Sequence, residues 1–209
     1  MLIFMAMNNS TCLIEVPALL SKKTSRILTF KTESLIIEKP TGIKPPDFIP
    51  AATIAGFRYG VSWVRGYAFT IGRQYFIEIQ TDQQKVISIK LGSYYSIRKK
   101  LYDQLWSEII HQLWRYYFVN QYNYYYDLYK INQAFELCGI YFHPNGIGWD
   151  ALNILQWNEV GISSYYNYFM IYNRKNKKQY KSRSFAKDWN AVVLQAVLKE
   201  IVDEKKVVF

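Results

Sequence analysis

The sequence predicts a mainly β protein with helices, of the α+β class, built as two successive halves that each run through several strands into one amphipathic helix. Three observations carry this. Several stretches alternate apolar and polar residues and are broken by turn residues. Two longer stretches repeat apolar residues at helical spacing. The order of strands and then a helix occurs twice in 209 residues. Half of the residues are apolar and a fifth are charged, which suits a packed core and not a disordered chain.

The chain opens on "MLIFMAM", which is apolar but short, with no basic leader and no small-residue cleavage site, so it reads poorly as a signal peptide. Asn9-Ser10-Thr11 matches a glycosylation acceptor, a pattern with meaning only in a secreted chain. Residues 1–24 stand apart as an N-terminal segment, and the first domain is expected over 25–116. There, "ILTFKTESLII" (27–37) alternates around a turn at "KTES". Its counterpart is "GIYFHPNGIGW" (139–149), with the stronger turn Pro144-Asn145-Gly146. Aligning Phe30 with Phe142 brings Leu35 onto Ile147.

After the first of these hairpins, "EKPTGIKPPDFIP" (38–50) holds Pro40, Pro45, Pro46 and Pro50 and reads as an exposed loop. Next, "IAGFRYGVSW" (54–63) is set against "ILQWNEVGIS" (154–163). Then "YFIEIQTDQQKVISIK" (75–90) is set against "YFMIYNRKNKKQYKS" (168–182). In each, a Tyr-Phe pair opens an apolar strand, a polar tip follows, at 80–84 or 173–177, and the chain returns.

Each half closes with a helix. In the first, Ser93 or Ser96 is the expected cap, and Leu101, Leu105, Ile109 and Leu113 form the apolar stripe, flanked by Trp106, Ile110 and Trp114. In the second, Asp188 is the expected cap for Trp189, Val193, Ala196, Val197 and Ile201. Aligning Ser93 with Ser184 puts Leu101 on Val192 and Leu105 on Ala196. Residues 117–134 connect the halves, as a continuation of the first helix or as an irregular linker. Tyr122, Tyr124, Tyr125, Tyr126 and Tyr129 make this connector too aromatic for a solvated link, so it is expected at the seam between the domains. The second domain is expected over 135–209.

The residues offer little for catalysis. Cys12 and Cys138 form no C-x-x-C pair and exclude a disulfide framework, which suits a reducing compartment. His111 and His143 lack zinc-ligand spacing and any sequence partner that would make a nucleophile–base pair. "GFRYG" and "GIGW" match neither nucleotide-binding fingerprint. The acids Asp203 and Glu204 sit beside Lys205 and Lys206, as on a solvated helix end. The expectation is a protein that is not an enzyme, with no catalytic, cofactor-binding or metal residue. No stretch reaches the ~18 apolar residues needed to cross a bilayer. A cytoplasmic location is expected, with the inner membrane surface as a peripheral alternative.

The formal net charge of +10 favours anionic partners. It concentrates in "NRKNKKQYKSR" (173–183), where Arg174, Lys175, Lys177, Lys178, Lys181 and Arg183 are the candidate anion- or phosphate-binding residues. Alternation sends about half of them to one side, and a cation near an anionic leaflet contributes roughly 1 kcal/mol. The resulting ~3 kcal/mol falls short of the ~4 kcal/mol of a millimolar complex, so the hairpin alone is no anchor unless Arg98, Lys99 and Lys100 share its face. The alternative is a charged edge that deters sheet-to-sheet aggregation. Tyr165, Tyr166, Tyr168, Tyr172 and Tyr180 interleave with these cations and could stack on single-stranded nucleic acid.

The second half also resembles the bacterial pleckstrin-homology-like (PH-like) domains. Trp157, Glu159 and Val160 fill a "W-x-[DE]-V" strand pattern, and Asn190 and Leu194 fill the "N-x-x-x-[LF]" pattern of the closing helix. The first half departs from this, with Phe57-Arg58-Tyr59-Gly60 where the tryptophan–acid pair is expected. The resemblance implies two strongly bent, seven-stranded antiparallel barrels, each capped by a C-terminal helix, and a non-catalytic binding or scaffold module. A protein is the expected partner. Anionic lipid head groups and single-stranded nucleic acid are the alternatives.

Overall fold

The computed structural model describes residues 11–20, 24–39, 45–149 and 154–207. The start "MLIFMAM", Asn9 and Ser10 of the acceptor, and Pro40 lie outside the described residues. The chain divides into two units, Met1–Ala55 with Val61–Tyr117, and Gly56–Gly60 with Phe118–Phe209.

The first unit opens with an antiparallel meander of β1 (Cys12–Pro17), β2 (Ser25–Phe30), β3 (Ser34–Ile37) and β4 (Asp47–Pro50). A 3-10 turn, Ala51–Thr53, leads into β5 (Ile54–Arg65), β6 (Thr70–Thr81) and β7 (Val86–Tyr94), which form a three-stranded sheet, and α1 (Lys99–Leu113) follows. The second unit begins with α2 (Val119–Lys130). Its meander is β8 (Phe135–Leu137), β9 (Ile140–His143), β10 (Gly146–Gly148) and β11 (Ile154–Gln156). A 3-10 turn, Trp157–Glu159, then leads into β12 (Val160–Ser164), β13 (Tyr168–Asn173) and β14 (Tyr180–Ser184), and α3 (Ala191–Val207) closes the unit. The α+β class is therefore observed. Four strands, a 3-10 turn, three strands and a helix recur in each half. The strands form four small antiparallel sheets, and none closes into a barrel among the described residues.

Cross-strand register explains why the first hairpins align. Phe30 lies opposite Leu35, and Leu35 opposite Ile49. In the second unit Phe142 lies opposite Ile147, and Ile147 opposite Leu155. All six are buried, so the same transverse row of apolar pairs anchors each meander to its core. In the second unit Phe135 extends the row, stacked on Phe142 at 4.4 Å between ring centroids.

Other alignments shift. Part of the expected loop 38–50 is strand β4, with Ile49 buried. Its prolines fit because Pro45 and Pro46 precede the strand, and Pro50 ends it at the sheet edge, where a missing N–H costs nothing. Counting β4 moves the correspondence by six residues: Ile49 matches Leu155, Ala51–Thr53 matches Trp157–Glu159, and Ile54 matches Val160. Ala51-Ala52-Thr53, and not Phe57-Arg58-Tyr59-Gly60, stands at the tryptophan–acid position. The Tyr-Phe pairs are also offset by one. Tyr75 and Ile77 are buried on β6, while Phe169 and Ile171 are buried on β13, and a one-residue slip exchanges sheet faces.

The helix starts differ from expectation too. The residues preceding α1 and α3, Arg98 and Asn190, have φ of 55° and 60°. No side chain caps α1; the Ser93 hydroxyl instead donates to the Ile97 carbonyl. Asp188 does not cap α3 but accepts the Ser184 N–H at 2.7 Å. Leu101 is exposed, and Tyr102 carries the first buried turn of α1, its hydroxyl donating to the Pro17 carbonyl at 2.8 Å. Further along, the Tyr117 hydroxyl donates to the Ser34 carbonyl at 2.9 Å, and burial raises its pKa above the usual phenol range.

The Tyr-rich connector is helical, reached from α1 through a π turn at Trp114–Phe118. Its rings pack inside the second unit: Tyr125 against Phe135, and Tyr129 edge-on to Trp157. Tyr126 hydrogen-bonds Glu204 of α3, and Lys130 pairs with the same carboxylate at 2.6 Å. Gly56–Gly60, the middle of β5, also belongs to this unit. Phe57 stacks on Phe118 with centroids 3.6 Å apart, and Tyr59 lies parallel to Phe185. The Phe57 N–H donates to Asn190 Oδ1 at 3.1 Å, while the Asn190 N–H donates to the Phe57 carbonyl at 3.0 Å. Asn190 thus combines a left-handed backbone, which asparagine tolerates better than most residues, with an acceptor for a strand edge.

Candidate functional site

The basic hairpin β13–β14 is shaped by asparagines. Asn173 Oδ1 accepts the Lys175 N–H at 2.8 Å and the Asn176 N–H at 3.3 Å, and Asn176 Oδ1 accepts the Lys178 N–H. Such local side-chain acceptors stabilise a turn without apolar packing. The six candidate cations do not form one surface. Lys177 and Lys178 are exposed at the tip. Lys175 pairs with Glu159 at 2.7 Å. Arg174 lines a cleft of about 310 Å³ with Tyr172, Lys199 and Asp203, where the Tyr172 ring lies against Gly161.

Lys181 and Arg183 are half-buried, opposite Ile171 and Phe169. Arg183 has a structural task. Its guanidinium donates to the carbonyls of Cys138 at 2.6 Å and Gly139 at 3.0 Å. These two residues make the tight β8–β9 turn with φ of 55° and 66°, so Arg183 holds a turn rather than offering an open phosphate site. Burial also pushes the Cys138 thiol up to about 11, despite the nearby Arg183, which makes it a poor nucleophile at neutral pH.

The other feature is a pair of equivalent hairpin tips. The Gly66 N–H donates to the Phe69 carbonyl at 2.7 Å between β5 and β6. The Tyr165 N–H donates to the Tyr168 carbonyl at 2.9 Å between β12 and β13. Both four-residue turns carry rings into solvent: Tyr67 and Phe69 in the first, Tyr165, Tyr166 and Tyr168 in the second. Tyr166 is 74% exposed, while Tyr165 and Tyr168 stack on each other at 4.6 Å. Of the tyrosines that interleave with the basic hairpin, Tyr172 alone is half-buried. The first tip went unnoticed in sequence, although an acid-free run of rings, glycines and arginines, "WVRGYAFTIGR" (63–73), marks it.

Among the described residues no group of three or more His, Cys, Asp or Glu could hold a metal ion. No helix among them is long and apolar enough to cross a membrane. His111 is exposed on α1 and His143 half-buried on β9. Compared with known proteins, the chain matches no family model and no curated sequence.

Proposed function

We propose that this protein is a non-enzymatic binding module of two PH-like halves that engages a protein partner. The recurrence of four strands, a 3-10 turn, three strands and a closing helix supports the PH-like reading, in which the two sheets of each half bend around one core as a capped barrel. The observation that carries a protein partner is the second hairpin tip. The run "SSYYNY" (163–168) joins exposed tyrosines to Ser and Asn, the composition of binding loops in which rigid rings supply area and short polar side chains adapt. The basic hairpin is the weaker candidate surface, because Lys175 is paired and Arg183 is bound to backbone. The test is quantitative capture by the purified protein and by Tyr165→Ser/Tyr166→Ser, with each captured protein then purified and titrated directly. A partner that survives physiological salt and loses about tenfold or more in affinity for the variant supports the reading. Equal affinity for both proteins refutes it.

A further inference from the structure

The first unit presents a surface of different chemistry from the second hairpin tip. Trp63, at 60% exposure, and Phe69, at 64%, flank the β5–β6 tip, where Tyr67 is fully exposed. The turn after β7 adds exposed Tyr95 and Ile97, and the first turn of α1 adds Leu101. A cleft of about 230 Å³ joins these segments, lined by Trp63, Phe69, Arg73, Tyr95 and Lys99 among others. Six large apolar side chains left in water on three neighbouring segments form a patch rather than scattered exposure.

The cleft and the tip beside it carry cations and no acid. Arg65 lies beside the tip, Arg73 lines the cleft, and Arg98, Lys99 and Lys100 lead into α1. Phe48 through Ile77 contain no acidic residue, and neither do Gln83 through Tyr102. We infer that this face docks on an anionic lipid bilayer, with Tyr67, Phe69 and Trp63 at the boundary between head groups and acyl chains and the Arg and Lys residues among the head groups. Three features select a bilayer over other anions. Trp and Tyr favour that boundary because each has an apolar body and a polar end, Lys and Arg keep their charge among head groups above apolar stems, and Phe adds purely apolar burial. The exposed aliphatics Ile97 and Leu101 have no counterpart to meet on a sugar–phosphate chain. One face of the Trp63 ring is occupied by the Arg73 guanidinium, 4.6 Å from its centroid, which narrows it as a stacking platform for a nucleic-acid base.

This inference does not depend on the second hairpin tip, and its test separates the two. The full chain is titrated with vesicles of phosphatidylcholine alone and of phosphatidylcholine mixed with phosphatidylglycerol, at physiological salt. Binding to the mixed vesicles only is expected. Tyr67→Ser/Phe69→Ser should weaken it about tenfold through lost interfacial burial, and Lys99→Glu/Lys100→Glu should weaken it further at low salt than at high salt. Brominated acyl chains should quench the wild-type fluorescence more than that of Trp63→Phe. Because the mutated side chains are exposed, unchanged thermal unfolding of each variant shows that the fold is intact. No binding to mixed vesicles, equal binding to neutral ones, or binding that survives Tyr67→Ser/Phe69→Ser but is lost in Lys177→Glu/Lys178→Glu would overturn the inference. Tighter binding to a single-stranded oligonucleotide, lost in the same tip variant, would assign the patch to nucleic acid instead.

Discussion

Asn190 allows its two roles to be measured separately. It sits at φ 60° directly before α3, and its Oδ1 accepts the Phe57 N–H at 3.1 Å. Asn190→Ala keeps a Cβ in the left-handed region, at about 1 kcal/mol, and removes the acceptor, leaving a part-buried N–H at about 1–3 kcal/mol. A loss of about 2–4 kcal/mol is expected. Asn190→Gly relieves the backbone but not the N–H, so it should lose about 1 kcal/mol less than Asn190→Ala. Asn190→Asp keeps the acceptor and should stay within about 1 kcal/mol of the wild type. Urea unfolding gives the energies, and amide hydrogen exchange at Phe57 gives the local readout. Exchange should accelerate most in Asn190→Ala, by about tenfold for each ~1.4 kcal/mol lost locally. An Asp variant as destabilised as Ala would refute the acceptor role. Equal losses in Gly and Ala would refute the backbone role.

Three further outcomes are expected. Arg183→Met should destabilise by about 1–3 kcal/mol, since two turn carbonyls lose a charged donor, while leaving vesicle binding unchanged; co-sedimentation alongside denaturation checks both. Leu35→Ala and Ile147→Ala, at the centres of equivalent rows, should each cost about 2–5 kcal/mol by calorimetry. The Glu204 carboxyl is pulled up by burial but held below its ordinary value by hydrogen bonds from Lys130 and Tyr126. Its contribution is therefore present above the unfolded carboxyl pKa and lost as pH falls through the lower folded value. The Lys130 pKa is raised by the same contact, so its contribution fades only at strongly alkaline pH. Glu204→Gln should flatten the acid limb of a stability-versus-pH profile, and an unchanged limb would show that the cluster carries no linkage.

The sequence showed most where turn chemistry and alternation agreed. Phe30 and Leu35 could be matched to Phe142 and Ile147 because each pair flanks a short polar turn, and the observed register sets each pair face to face. It misled where prolines stood for a loop, since Pro45, Pro46 and Pro50 border a strand at positions that need no N–H. The left-handed residue before α1 had no readable signal, because Arg98 is not a residue type that favours positive φ and its backbone sign is set by the surrounding packing. Counting cations overstated the basic hairpin, as a list of charges does not reveal that Arg183 turns inward to two carbonyls. The aromatic tips were hidden for a related reason: Tyr67 and Tyr75 look alike in sequence, yet one is fully exposed and the other fully buried.

The middle of β5 has a consequence for how the protein is made. The Phe57 N–H and the Asn190 amide that receives it are 133 positions apart. At ribosomal speeds of about 5–20 residues per second, Gly56–Gly60 leaves the exit tunnel on the order of ten seconds before its partner exists. During that interval Phe57 and Tyr59 have apolar rings without their final neighbours. A nascent chain stalled before residue 185 should therefore engage chaperones at this strand, whereas the chain released from the ribosome should not. Synthesis order, as much as the finished contacts, gives the second half a stake in a segment that precedes it.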